Sequence, residues 1–386
     1  MFSKRTNWET QPNPLSQSLS KLRKKGETVF DLTESNPTRC GFQYLNSKIL
    51  ETFSNSKNLS YEPDSRGLLE ARTAICGYYS QKGITLKPDQ VFLTASTSEA
   101  YTHLFRLLAN SGDKMLVPGY GYPLFGFLAE LNDVELTQYA LSYDTAWHID
   151  FSSLRGNNTR AVIVVNPNNP TGNFIHKYEK KMLNEFCQAN QSALISDEVF
   201  LDYAYEENFD RVPSFAGNDS VLTFTLSGVS KILGLPQMKL SWIVVNGPRE
   251  KKDKAIERLE IISDTYLSVS TPSQRALSSW LQLQPEIQKE ILSRVLENRD
   301  LLKKTMSGQN KIKILNTEGG WYAVLEIDSS RTDEEIALGL LEKDHVYVHP
   351  GYFFDFHSGT FLVLSLLPPK DIFQEGIRRL SENILY

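Results

Sequence analysis

Short runs rich in valine, isoleucine and other apolar residues recur at Val91–Thr94, Lys114–Pro118, Ala161–Asn166, Ala193–Asp197, Val221–Ser227 and Leu240–Asn246. Each is too short for a typical helix, and most are apolar at nearly every position, the mark of strands buried on both faces. Between several of them lie helical patterns at Ser98–Ala109, Lys177–Ala189 and Ser230–Leu235. Parallel neighbours need a crossover connection, and a helix supplies it. The alternation therefore predicts an α/β fold whose mainly parallel sheet is covered by helices on both faces.

After about residue 250 the texture changes. A charged helical stretch from Glu250 to about Ser268 leads into further helix as far as Met306. Strand-like segments follow at Trp321–Ile327, His345–His349 and Phe361–Leu366, with a helix pattern at Glu334–Lys343. This predicts a smaller α+β domain that the N-terminal segment joins. The large domain is set at residues 46–275, and the small one at 1–45 with 276–386.

A chain of 386 residues, 40% hydrophobic, can bury a substantial core. Its net charge of −5 on 41 basic and 46 acidic residues argues against a nucleic-acid face. The basic run Lys21–Lys25 reads as a solvated helix face. Cys40, Cys76 and Cys187 are few and far apart, with neither metal spacing nor a disulfide framework. The opening residues lack the apolar run of a signal peptide, and no stretch reaches the ~18 apolar residues of a membrane span. A soluble cytoplasmic protein is expected, without a membrane or nucleic-acid partner. The histidines have no ligand spacing, so no metal is expected, and G-x-G-x-x-G, Walker A and H-E-x-x-H signatures are absent.

In an open parallel sheet, ligands sit beyond the carboxyl ends of the strands. After the run ending at Val165 comes Asn166-Pro167-Asn168-Asn169-Pro170-Thr171-Gly172. The next run ends in Asp197-Glu198, and the one after leads into Ser227-Gly228-Val229-Ser230-Lys231. An amide, a carboxylate and a lysine thus converge on one rim. A lysine can hold an aldehyde as an imine, a carboxylate can pair with a protonated pyridine nitrogen, and an amide can donate to a phenolate oxygen. Ser96 and Glu99 have capping-box spacing at the start of a helix, where free N–H groups make a phosphate seat. Turns and helix caps account for any one of these residues alone; the ordered trio favours a cofactor.

At these residues the chain resembles the class I/II aminotransferases, enzymes of the fold-type I family that use pyridoxal 5'-phosphate. The resemblance runs from about Asp31 to about Leu366. It rests on Asn168-Asn169-Pro170-Thr171-Gly172, Asp197-Glu198-Val199 and Ser230-Lys231 with Gly234-Leu235, in that order. It implies a seven-stranded type of sheet, Lys231 as the imine-forming lysine and acid–base, and Asp197 as partner of the ring nitrogen. Asn169 would donate to the ring oxygen, and Tyr122 would stack on the ring. Thr97, Ser98, Ser230 and Lys239 would hold the phosphate, with Tyr61 reaching that of a neighbouring subunit in a homodimer with shared sites. Asn36, in Asn36-Pro37, would belong to a segment closing over substrate, and Pro350-Gly351 to a late active-site loop.

Four positions depart from the family pattern. Phe200 stands where tyrosine is usual three residues after the aspartate, which removes a hydrogen bond to the phenolate; Tyr203 is a conceivable substitute. Gly228 replaces a common phosphate-binding serine, with Ser227 or Ser230 as stand-ins. Lys239 replaces an arginine and keeps the charge but loses the bidentate fork. Val363 occupies the position of the arginine that binds the substrate carboxylate. Arg39 is the first candidate replacement and Arg66 the second.

The leading expectation is an aminotransferase acting between an amino acid and a 2-oxo acid. The alternative on the same scaffold is a lyase, a C–S β-lyase or a decarboxylase, and a third is a non-catalytic protein retaining the fold. The aromatic run Tyr352-Phe353-Phe354 suits an uncharged substrate side chain, or simply core packing.

Overall fold

Valine and isoleucine prefer the pleated, two-sided environment of a buried strand, and the central strands are built from them. In the computed structural model, which describes residues 1–43, 46–121, 123–156, 158–267 and 269–384, seven strands form one sheet. Their spatial order is Val91–Thr94, Ser241–Asn246, Thr223–Gly228, Ala193–Asp197, Thr159–Val165, Lys114–Pro118 and Glu135–Tyr139. Ser241–Asn246 runs antiparallel to both its neighbours, and the remaining pairings are parallel. Ala193–Asp197 lies at the centre and is buried at every position.

The six strands read from sequence appear within about two residues of their expected limits. The seventh, Glu135–Tyr139, was not expected. It is an edge strand, mostly polar and largely open to solvent, so it carries no apolar run. The helix expected at Ser230–Leu235 is one turn, Val229–Ile232. Gly234, with φ of 58°, and Pro236 end it.

The C-terminal part forms a four-stranded antiparallel sheet ordered Ile312–Ile314, Tyr322–Ile327, Phe361–Ser365 and His349–Pro350. The stretch expected as one strand at His345–His349 splits in two. Val346–Tyr347 pairs in parallel with Phe30–Asp31, whereas His349–Pro350 pairs with Phe361–Ser365. This first pairing ties the N-terminal segment to the C-terminal part. Three long helices, Arg249–Tyr266, Thr271–Gln282 and Gln284–Met306, link the two sheets in sequence.

One apolar cluster joins the sheets: Leu116, Val162 and Val164 of the larger pack with Val324, Phe361 and Val363 of the smaller. The rim above the central strands, where the chemistry-bearing residues lie, therefore faces a wall fixed to the same core. Among the described residues no helix is long and apolar enough to cross a membrane.

Candidate active site

Asp197 ends the central strand, Asn169 follows its neighbour Thr159–Val165, and Lys231 follows Thr223–Gly228 on the one-turn helix. Adjacent strands ending at one level bring these side chains to a common pocket. That pocket is lined by Thr97, Asn169, Asp197, Ser230 and Lys231 together with Ser35, Phe125, Val165, Val199, Phe200, Ser241 and Tyr322.

The Asp197 carboxylate is buried and accepts hydrogen bonds from the Tyr101 hydroxyl at 3.0 Å and the Val199 N–H at 3.2 Å. Burial outweighs these donors and pushes its pKa up to about 6. Burial likewise pushes Lys231 down to about 8, with Asp197 opposing the shift. Ser96 caps the helix Thr97–Leu108 by accepting the Glu99 N–H at 3.2 Å, while the Glu99 carboxylate accepts the Ala95 N–H at 2.6 Å. The capping box expected there is thus made, in a version that reaches one residue further back.

The residues present fit pyridoxal 5'-phosphate. The Asn169 amide oxygen is buried with no hydrogen-bond partner among the described residues, so a ligand donor would satisfy it, while the amide NH2 is the group that would donate to a ring oxygen. Asp197 is a buried carboxylate held by two neutral donors, which suits a cationic ring nitrogen. A Cβ at Gly228 would run into Ser241 Oγ, so the hydroxyl of Ser241, directly across the strand pair, fills that space at the pocket wall.

Most of the other expected residues that the structure describes lie outside this pocket. Tyr122 falls outside the described residues. Ser98, the second residue of its helix, is half-buried but does not line the pocket. Lys239 is exposed on a left-handed turn with φ of 49°. Tyr61 is 71% exposed and lines a separate surface cleft with Ser263, Asp264 and Leu267. The Asn36 side chain closes its own turn by accepting the Thr38 N–H and hydroxyl at 3.1 and 2.8 Å. Arg39 has a 75% exposed side chain, 4.0 Å from Glu34. Arg66 is held by Glu260 at 2.6 Å. Of the expected serine stand-ins, Ser230 lines the pocket, whereas Ser227 is buried and donates to the Glu198 carbonyl at 3.3 Å. Val363 is fully buried in the apolar seam between the sheets. The Tyr203 hydroxyl donates to the Lys231 carbonyl oxygen at 2.6 Å.

Sequence reasoning missed Tyr101, Ser241, Ser35, Phe125 and Tyr322. Tyr101 had a signal, since it stands four residues after Thr97 on one helix face. Ser241 and Tyr322 open strands whose register alone brings them to the rim, and no local pattern marks them.

The model for aminotransferases of class I and II matches residues 28–372. Glutamate-pyruvate aminotransferase AlaA of Haemophilus influenzae is 27% identical over 378 residues, covering 95% of this chain and 93% of that protein. Alanine aminotransferase of Mycobacterium tuberculosis is 26% identical over 392 residues, covering 96% and 89%. Among solved structures, alanine aminotransferase of Pyrococcus furiosus superposes with a TM-score of 0.91 at 26% identity, with all of both chains covered. With a matched region spanning most of the chain and a rim suited to the cofactor, this protein belongs to the class I and II aminotransferases and is a pyridoxal-phosphate-dependent enzyme.

Proposed function

We propose that Lys231 is the residue that anchors the cofactor and moves the proton while an amino group passes between an α-amino acid and a 2-oxo acid. The observation that carries this reading is the meeting of Lys231, Asp197 and Asn169 at the ends of three adjacent strands in one pocket with Thr97. When bound, pyridoxal phosphate supplies an electron sink for the pair left by the broken Cα–H bond. Asp197 would keep the ring nitrogen charged, and Asn169 would meet the ring oxygen. Thr97, Ser230 and Ser241, with the first N–H groups of the helix Thr97–Leu108, would hold the phosphate, and Ser98 and Lys239 would act from the rim. Tyr122 is assigned to ring stacking on its position after Tyr120-Gly121.

Phe125, Val165, Val199, Phe200 and Tyr322 give the pocket an apolar wall, which suits a small or apolar substrate side chain. Alanine and glutamate are the first donors to test, because relatives carry those names. Arg39, four residues from the pocket residue Ser35, is our candidate for the carboxylate, with Asn36 beside it.

A second copy of the chain is proposed to complete the site. Leu50, Leu59, Tyr61 and Leu69 are all more than half exposed, an apolar surface suited to a homodimer in which Tyr61 serves the partner's pocket. A reducing cytoplasm is the proposed compartment, in keeping with free thiols at Cys40, Cys76 and Cys187.

The test is a visible spectrum of the purified protein titrated with single amino acids. Loss of the cofactor band, restored by a 2-oxo acid, is expected. A band that persists while ammonia or CO2 is released would indicate a lyase, and no band after added cofactor would overturn the reading.

A further inference from the structure

The Lys231 ammonium has an unusual setting. Among the described residues no side chain or carbonyl accepts a hydrogen bond from it. Instead Nζ lies 4.9 Å from the centre of the Trp321 ring and 5.4 Å from that of Phe200. Both distances are within the ~6 Å range of a cation–π contact. The two rings meet edge to face, 5.2 Å apart at 76°, and Tyr203 packs against Trp321 at 5.0 Å and 71°. The edge-to-face arrangement leaves two ring surfaces open toward one point.

This arrangement is held from both sides. The Tyr203 hydroxyl grips the Lys231 carbonyl, while the Gly320 N–H donates to the Tyr203 carbonyl at 2.9 Å. The Leu366 N–H donates to the Trp321 carbonyl at 2.8 Å, so the tryptophan backbone is pinned to the smaller sheet. The indole N–H makes no hydrogen bond among the described residues. Packing rather than a polar contact therefore sets the ring's orientation. Phe200 belongs to the same logic: a tyrosine there would carry a hydroxyl, whereas phenylalanine offers only its ring.

We propose that Trp321 and Phe200 form an aromatic seat for the free ammonium of Lys231, which makes Trp321 a catalytic residue. The proposal rests on Lys231 being the cofactor lysine. A lysine that takes a proton as an amine must hold it as an ammonium and then release it. A carboxylate hydrogen-bonded to Nζ would stabilise the charge and also retain the proton. A ring face stabilises the charge through its quadrupole and accepts no proton, so the proton stays available on nitrogen. The other ionisable groups acting on Lys231 are Asp197 from the central strand, which favours the ammonium, and Cys40 from the N-terminal segment. Burial of Nζ works against the charge, which is why a seat matters there.

The test uses the full chain stripped of cofactor with hydroxylamine. Trace labelling with acetic anhydride across a pH series, read at the Lys231 peptide by mass spectrometry, gives the titration of this one amine. Trp321→Leu should lower its apparent pKa, about 8 in the wild type, by roughly 0.4–1.5 units, a gain of about 2- to 8-fold in labelling at pH 7. Trp321→Phe, which keeps a ring face, should retain much of the wild-type value, and Phe200→Leu should shift it in the same direction as Trp321→Leu. Because Trp321 is fully buried, a leucine there could unfold the chain. Incorporating tryptophans with increasing fluorination keeps the shape and weakens the ring quadrupole, so the pKa should then fall stepwise. An unchanged Lys231 titration across that series overturns the seat. Borohydride reduction of the holoenzyme followed by peptide mapping separates the two ideas: cofactor fixed to another lysine would refute the assignment of Lys231 itself.

Discussion

His176 and Glu318 meet at 3.1 Å, Nε2 to Oε1, and the contact ties the loop that follows Asn169 to the loop that precedes Trp321. The other imidazole nitrogen faces Asp210 at 3.1 Å, so both nitrogens are set to donate and the ring is held as an imidazolium. The second Glu318 oxygen accepts from Arg211 Nε at 3.0 Å and the Phe174 N–H at 3.2 Å, while the Glu318 and Gly319 N–H groups donate to the Gly172 carbonyl. The glutamate thus fastens one wall of the pocket to another.

This clamp sets a pH dependence. The hydrogen bond to Glu318, against burial and with help from Asp210, raises His176 from its ordinary value of 6.5 to about 9. A raised folded value means that the contribution to stability is full below about pH 6.5 and is lost as pH climbs through 9. His176→Asn should cost about 1 kcal/mol at neutral pH and flatten the fall in melting temperature between pH 7.5 and 10. Melting curves over that range check it, and identical alkaline profiles for variant and wild type would count against the clamp.

Asp197→Asn should move stability and activity in opposite directions. The carboxylate is buried, and its pKa, raised to about 6 from 3.8, makes its charge destabilising once it ionises. Stability of the cofactor-free protein should therefore fall as pH rises from about 4 through 6, and asparagine should abolish that fall. Since the amide oxygen can still accept from the Val199 N–H while its NH2 donates to the Tyr101 hydroxyl oxygen, the cofactor-free variant should gain on the order of 1–3 kcal/mol near pH 7. Turnover should drop by roughly 10²-fold or more, because the ring nitrogen loses its anionic partner. Calorimetry of the cofactor-free protein and steady-state rates of the holoenzyme measure the two effects.

Gly228 and Ser241 should behave as one unit. Any side chain at 228 meets Ser241 Oγ and Cβ and comes to 3.0 Å from the Leu240 carbonyl, so Gly228→Ala should destabilise by about 1–3 kcal/mol. If the Ser241 hydroxyl serves the phosphate, Ser241→Ala should weaken cofactor binding by about 5- to 50-fold with little change in melting of the cofactor-free chain. Fluorescence titration with pyridoxal phosphate gives the affinity. Unchanged affinity in Ser241→Ala would leave Ser230 and Thr97 as the side-chain hydroxyls there.

How much was legible beforehand follows from what each residue depends on. The order of strands and helices was readable because Val162–Val165 and Leu194–Ile195 are apolar for a local reason, burial on both faces. Asn169, Asp197 and Lys231 were readable because strand ends in a parallel sheet share a rim. Glu135–Tyr139 was not, since an edge strand needs no apolar run. Trp321, Tyr322 and Ser241 were not, because their places depend on the register of strands far apart in sequence. The pairing of Ser241 with Gly228 and of Tyr322 with Ser365 is a tertiary outcome that no window of residues contains.

Val363, at the position where the sequence resemblance leads one to expect a carboxylate-binding arginine, is a fully buried valine opposite Val324 and His349 in the antiparallel sheet. Its neighbours are apolar residues of both sheets, Leu116, Val164 and Phe361 among them. Restoring the arginine would place an unpaired guanidinium in that seam. Val363→Arg should therefore cost several kcal/mol, on the order of 3–5, whereas Val363→Ala should cost about 1–2.5 kcal/mol for the lost methyl groups and the space they leave. Denaturant melts compare the two directly. Turnover of alanine or glutamate should not rise in Val363→Arg, because a guanidinium there would have to displace the apolar residues packed around it. A folded Val363→Arg protein with a higher kcat/KM for amino acids would show instead that the pocket is already shaped for a guanidinium, and that valine there limits the enzyme.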